Sequence, residues 1–266
     1  MKHMMLDCYN SAKSQLNDLK HINDFLTEVV YKLGLEPICP PYILPYYYGR
    51  VKEDIGISAY VLLEGGHITI HTFPVRECYF VDVLSQGDFD EEKLLSILNK
   101  QLPYSSINSN VVTKDRMDDF EMLEYDPKCD FGPHLMTNIS ASHELTMEEV
   151  FDFLERTAYD INMDPITRPA VLKSTIDNPR YLSGILIIAQ SHISVHYDYN
   201  TSKIYADVFS CAPFDFSVVN EVFAKLGHLD KTGLVPRGTK HIYKVKSQDE
   251  VDELLASTKW QHVIKK

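Results

Sequence analysis

The sequence predicts an α+β protein of two tandem homologous units. Each unit is an antiparallel sheet with helices on one face, and the two pack as a pseudo-twofold sandwich. Three observations carry this expectation. Residues 58–102 lie over residues 183–227 at a constant offset of 125 with no gap, and ten of the 45 positions are identical, where unrelated sequences would share roughly three. Each copy contains three short β-branched and aromatic runs separated by turn residues. Each copy also has an amphipathic helical stretch before those runs and a second after them. Two such units must cover their remaining apolar surface, and a fused homodimer does so most simply.

The elements follow in order. His3, Met4 and Met5 loosely match His134, Leu135 and Met136. Leu19–Leu33 and Met147–Ile161 carry apolar residues at three- and four-residue spacing and read as helices. Thr146 with Glu149 forms a capping box at the second. The Pro40–Tyr48 segment reads as an extended edge or a loop whose tyrosines could line a pocket. Strands are expected at 58–63, 67–72 and 79–84, and again at 183–189, 192–197 and 204–209. Gly65 and Gly66 make a turn, not a phosphate loop, since no helix follows. Asp90–Gln101 and Asp215–Leu226 read as second helices opened by aspartate. Ile107–Lys114 and His241–Val245 read as closing strands. The acidic run Asp115–Asp126 is a connector, and Pro127 marks the junction. The expected units are 1–126 and 131–266.

The chain has 266 residues, 44% apolar and 24% charged, which is ordinary globular composition. Its net charge of -12 argues against nucleic acid or an anionic membrane as partner. Five cysteines without paired spacing argue against a disulfide framework or a zinc ribbon. The start has no apolar signal core and no stretch approaches membrane-spanning length, so a soluble, cytoplasmic protein is expected.

Chemistry concentrates at the hairpin tips. In the second unit Gln190-Ser191-His192 forms a turn. His196 lies further along the strand, Cys211 follows the next strand, and Ser183 precedes the turn by eight residues. With a period of two, 192, 194 and 196 share one face and 191, 193 and 195 the other, so His196 need not face Ser191 and a partner unit could supply a histidine. His67 and His71, like His192 and His196, are four apart. On a strand that is about 13 Å, too far for one zinc ion, so no metal site is expected.

The set resembles the S-adenosylmethionine decarboxylase family, whose bacterial members carry a Glu-Ser-His turn, a His-Thr-Trp-Pro-Glu strand end, and a cysteine after an aspartate-containing strand. Matching residues here are Gln190-Ser191-His192, His196, and the run from Asp207 to Cys211, with His71-Thr72-Phe73-Pro74 in the first unit. The resemblance spans both halves. It implies that Ser191 attacks the preceding carbonyl, that the chain splits between Gln190 and Ser191, and that a pyruvoyl cofactor remains on the new terminus. Such a ketone forms a Schiff base with the substrate amine and accepts the carbanion left by CO2.

The first unit has Gly66 and Gln86 where the processing serine and the cysteine should stand, yet keeps Ser58 and His71. The resemblance therefore implies one composite site. In it Ser191 is the pyruvoyl precursor, Cys211 the proton donor, and Ser58 and His71 cross from the first unit. His71 is the base, because a neutral imidazole titrates near pH 7. Ser183 and His196 are relics or hold structure. The family's ribose-binding glutamate falls on Val75 and Asn200. Glu77 lies two residues from the former and could compensate, and Phe73 replaces the tryptophan. The implied substrate is S-adenosylmethionine, on the route to spermidine and other polyamines. Decarboxylation of arginine or ornithine is the alternative, and a non-catalytic regulatory paralogue is the third reading. Whether the fused pair assembles further is left open.

Overall fold

A computed structural model describes residues 1–47, 51–113, 122–175, 177–189 and 191–239. The first sheet comprises β1 (Lys2–Tyr9), β2 (Tyr42–Tyr46), β3 (Gly56–Leu63), β4 (Gly66–Phe73), β5 (Cys78–Ser85) and β6 (Ser106–Thr113). The second comprises β7 (Gly132–Ala141), β8 (Ala170–Lys173), β9 (Tyr181–Ile188), β10 (Ser191–Asp198), β11 (Lys203–Phe209) and β12 (Gly227–Arg237). Strand order is β2-β3-β4-β5-β1-β6 in one and β8-β9-β10-β11-β7-β12 in the other, so the two topologies are the same. All pairings are antiparallel. The helices are α1 (Lys13–Leu16), α2 (Leu19–Leu33), α3 (Glu91–Gln101), α4 (Met147–Asp160) and α5 (Phe216–Phe223).

The four longer helices begin where the sequence offers a cap. Asp18, Asp90 and Asp215 accept from backbone N–H groups at the starts of α2, α3 and α5. Thr146 and Glu149 form a reciprocal capping box at α4. Glu149 is pulled down to about 2 by hydrogen bonds from the Thr146 backbone and hydroxyl and then from His143. Because its folded value is depressed, its contribution is present above the ordinary carboxylate range and is lost as pH falls towards 2. Thr146→Ala should lower stability by about 1 kcal/mol, read as a fall in Tm, and the gap to the parent should narrow in acid.

α2 buries Ile22, Phe25, Leu26 and Val29 at helical spacing, and α4 buries Val150, Phe153, Leu154 and Ala158. They cover one face of each sheet. On that face lie Met4, Leu6, Ile68, Ile70, Val81 and Val83 in the first unit, and Leu135, Ile193, Val195, Ala206 and Val208 in the second.

The alternate residues point the other way and meet across the sandwich. There the strands carry His3, Asp7, His67, Thr69, His71 and Asp82 from one sheet, and His134, His192, Ser194, His196 and Asp207 from the other, all buried. Apolar clusters flank this polar seam: Tyr60, Leu62, Ile185 and Ile187 form one, and Tyr9, Phe73, Phe80, Phe131 and Phe209 another. The outer layers therefore hold each unit together, and the polar inner layer sets how the two units meet.

The fully buried Arg237 ties the halves together. From the second unit it donates to Asp7 Oδ1 and to Asp82 Oδ1, each at 2.6 Å. It also lies over the rings of Phe80 and Phe209.

The expected helices and central strands are present, with ends shifted by a few residues. β2 makes the Pro40–Tyr48 segment an edge strand over Tyr42–Tyr46. β1 and β7 were not expected as strands: with both faces buried they lack the alternation that marks a half-exposed strand. The expected closing strand at His241–Val245 lies outside the described residues; among those described, β12 is the edge strand of the second sheet beside β7. Lys114 and most of the acidic connector also lie outside the described residues. No described helix is long and apolar enough to cross a membrane.

Candidate active site

Ser191 opens β10 directly after the turn, opposite Ile188. It is fully buried, and its Oγ accepts from the backbone N–H of Cys211 at 2.9 Å. The Cys211 thiol reaches Ala189 O at 3.3 Å. Burial raises that thiol to about 11, so it carries its proton at neutral pH. Cys211 packs on the aromatic cluster that includes Phe73 and Phe80 of the first unit. Gln190, on the other side of the expected scissile bond, lies outside the described residues.

The neighbour of Ser191 carries the connection between the halves. His192 Nδ1 lies 2.9 Å from His71 Nε2, and the two rings stack at 5.2 Å with planes 10° apart. On its far side His71 Nδ1 meets Ser58 Oγ at 2.9 Å. Burial, and then the nearby His192 and Arg237, hold His71 well below the usual imidazole range. It is a neutral base at pH 7. Ser58 and His71 thus cross to the turn that bears Ser191.

Ser183 and His196 do the mirror of this. His196 Nδ1 meets Ser183 Oγ at 2.9 Å, and His196 Nε2 meets His67 Nδ1 at 2.9 Å. They reach the turn that bears Gly66, so the structure separates them from the Ser191 turn. At the Gly66 turn the backbone has closed in. A Cβ on Gly66 would stand 2.0 Å from Leu84 O, and Gly65, at φ +70°, lies beneath the Tyr181 ring. Gly66→Ser should therefore fail to restore a second cleavage and should lower Tm. A new internal break at residue 66, seen by intact mass, would contradict this.

The two expected substrate contacts differ. Phe73 is buried against Phe131 and Phe80 in the cluster that holds Cys211. Glu77 sits in the β4–β5 turn at φ +56° with its carboxylate 3.7 Å from Lys13. Val75 is buried beside Ile55.

Sequence reasoning did not assign roles to His192, His134, Asp7, Asp82, Asp207 or Arg237. The signal for several of them was present as repeat identities, His67 with His192 and Asp82 with Asp207, on strands where apolar residues would serve packing equally well. Arg237 left no such trace.

A duplicated α+β unit with one turn serine, a neighbouring thiol and a serine–histidine pair from the opposite unit defines a self-complementary pseudo-dimer with a single intact turn among the described residues. The model of the S-adenosylmethionine decarboxylase family matches residues 2–115 and 136–228, once in each half. The chain belongs to that family, as a tandem duplicate of its unit.

Among curated relatives, the S-adenosylmethionine decarboxylase proenzyme of Thermosipho melanesiensis is 26% identical over 129 residues, 47% of this chain and 92% of its own. That of Thermotoga petrophila is 24% identical over the same shares. The crystal structure of the adenosylmethionine decarboxylase from Aquifex aeolicus covers 42% of this chain and 87% of its own, at 24% identity and a TM-score of 0.36. These two curated relatives thus align along nearly all their length with about half of this chain.

Proposed function

We propose that this protein is a self-processing, pyruvoyl-dependent decarboxylase, with S-adenosylmethionine as substrate and polyamine synthesis as its outlet. The observation that carries the reading is the meeting of Ser191 and Cys211 at a turn whose next residue, His192, is held by His71 and Ser58 of the other half. The functional division follows the units 1–126 and 131–266.

The residues fit the processing chemistry. Ser191 Oγ adds to the carbonyl of residue 190 as its peptide C–N bond breaks, exchanging an amide for an ester. Loss of the Ser191 α-proton then expels the residue-190 carboxylate, and hydrolysis of the resulting enamine releases ammonia. His71 is the neutral base for that proton, oriented by Ser58 on one nitrogen and His192 on the other. A pyruvoyl group at residue 191 supplies the electron sink that no side chain offers. Cys211, held as a thiol by burial, returns a proton to the substrate carbon. Phe73 shapes the wall beside it, and Ser183 and His196 hold the opposite turn in register.

His71→Ala should slow cleavage by about 10²-fold or more, the typical worth of a positioned base, and His196→Ala should slow it far less. The time course of fragment appearance checks this, and equal or reversed effects would undo the cross-unit assignment. A second substrate reading rests on Val75. The family's ribose-binding carboxylate is replaced there by a buried apolar side chain, which favours a plain amino acid such as arginine or ornithine. CO2 release from S-adenosylmethionine, arginine and ornithine, assayed side by side, decides between them. A regulatory paralogue would release none and remain uncleaved.

A further inference from the structure

The strands that bring Ser58 and His71 to the turn bearing Ser191 carry a further charged pair at their ends. Asp54 precedes Ser58 on the chain, and the segment between them spans at most about 13 Å when extended. Arg76 follows His71, in the turn between β4 and β5. Arg76 Nε donates to Asp54 Oδ1 at 2.5 Å, and the two side chains are only 17% and 19% exposed.

Packing fixes the pair in place. The Ile57 N–H donates to Thr72 Oγ1 at 2.9 Å. A Cβ on Gly56 would stand 1.9 Å from Thr72 O, so the backbone before Ser58 lies flat against the end of β4. Ile55 is buried against Val75, which joins the residue after Asp54 to the residue before Arg76. Phe73, at the end of β4, packs in the aromatic cluster that holds Cys211. After burial, the Asp54 charge is the next influence raising the Cys211 thiol, so the carboxylate stands within electrostatic reach of the proposed proton donor. The matched positions of the second unit are Pro179 and Thr201, which carry no charge. Of the two pseudo-equivalent ends, only the one that serves Ser191 has the pair.

We propose that Asp54, held by Arg76, selects the substrate: it accepts from the ribose hydroxyls of a nucleoside-bearing amino acid, and the neutral pair turns away amino acids with a cationic tail. This rests on the decarboxylase reading above and decides between its two substrate classes. A carboxylate has about four acceptor positions, and the bond from Arg76 Nε occupies one of them. A hydroxyl needs only another of these and joins without disturbing the pair. The ammonium of ornithine or the guanidinium of arginine requires the negative charge itself. Arg76 already balances that charge, and a second cation beside it is repelled. Glu77, the other carboxylate of this turn, is engaged by Lys13 at 3.7 Å. A site built to hold a substrate hydroxyl penalises the analogue that lacks it, because the charged acceptor is then left dry and unpaired.

The test uses the full chain, with intact mass to establish cleavage and thermal unfolding to establish folding of every preparation. CO2 release gives kcat/KM for S-adenosylmethionine, for its analogue lacking both ribose hydroxyls, and for ornithine. The parent should favour S-adenosylmethionine over the analogue by about 10-fold or more. In Asp54→Ala that ratio should fall close to one, whereas a merely structural role would lower all substrates together. Asp54→Asn, which keeps the shape of the side chain, should lower the ratio in the same direction and serves if the alanine variant does not fold. Arg76→Met leaves Asp54 unbalanced and should raise ornithine relative to S-adenosylmethionine by about 10-fold or more. A cleaved parent that does not distinguish the analogue overturns the proposal without any variant. So does a cleaved parent that prefers ornithine, or a folded, cleaved Asp54→Ala that keeps the parent's ratio. A parent that stays unbroken and releases no CO2 from any substrate removes the decarboxylase reading itself, and this inference with it.

Discussion

Ser191→Ala should leave one uncleaved chain and abolish CO2 release. The hydroxyl is the only atom at that position able to exchange the amide for an ester, and without the ester there is no leaving carboxylate and no ketone. No other residue supplies the missing electron sink, so the loss should be complete rather than graded. The fold should survive. Alanine fits where serine stood, and the one group left without its partner is the Cys211 N–H that Ser191 Oγ accepts. That costs about 1–3 kcal/mol, a small part of the stability of a chain with two apolar cores. Intact mass and CO2 release on the same folded preparation check both halves of the expectation.

Arg237→Met should be the most damaging single change to stability, at about 3–5 kcal/mol. Arg237 is the cation for two buried carboxylates, Asp7 and Asp82, and its own charge is reinforced by them. Burial already raises Asp7 against the lowering influence of Arg237. With the guanidinium gone, Asp7 loses the main influence that lowers it, and burial holds its carboxyl further above the ordinary carboxylate range. A carboxylate whose folded value is raised destabilises the fold as pH climbs past its unfolded value. The deficit of Arg237→Met should therefore shrink towards acid pH, where the Asp7 carboxyl is protonated in the folded and unfolded chain alike. Removing Asp7 and Asp82 charge in the same chain should recover much of the loss. Chemical denaturation across pH measures this; a deficit independent of pH would show that Arg237 acts through packing on Phe80 and Phe209 alone.

Much of this architecture could be read from the sequence because duplication shows each element twice. The gapless match fixed strand and turn positions around Ser191 and Gly66, and aspartate or threonine marked each principal helix start. The site was legible in part for the same reason: Ser58, His71, Ser183 and His196 stand at matched positions, while Gly66 and Gln86 stand opposite Ser191 and Cys211. β1, β7 and β12 were harder. The faces of β1 and β7 are both buried, one against helices and one against the other sheet, so His3, Asp7 and His134 sit in runs without simple alternation. The polar seam was illegible for a different reason. A histidine or aspartate on a strand looks solvent-exposed until a second sheet is known to cover it. The pairing of His71 with His192, and of Arg237 with Asp7, spans 121 and 230 residues and is set by how the units dock.

The account rests on cleavage of the chain at Ser191, and the mass of the freshly purified parent protein tests it most directly. Two polypeptides are expected, one ending at Gln190 and one beginning at residue 191 with a terminus closed to Edman sequencing and lighter than serine by the loss of ammonia. A single unbroken chain, in a preparation that releases CO2 from any of the three candidate substrates, would contradict it.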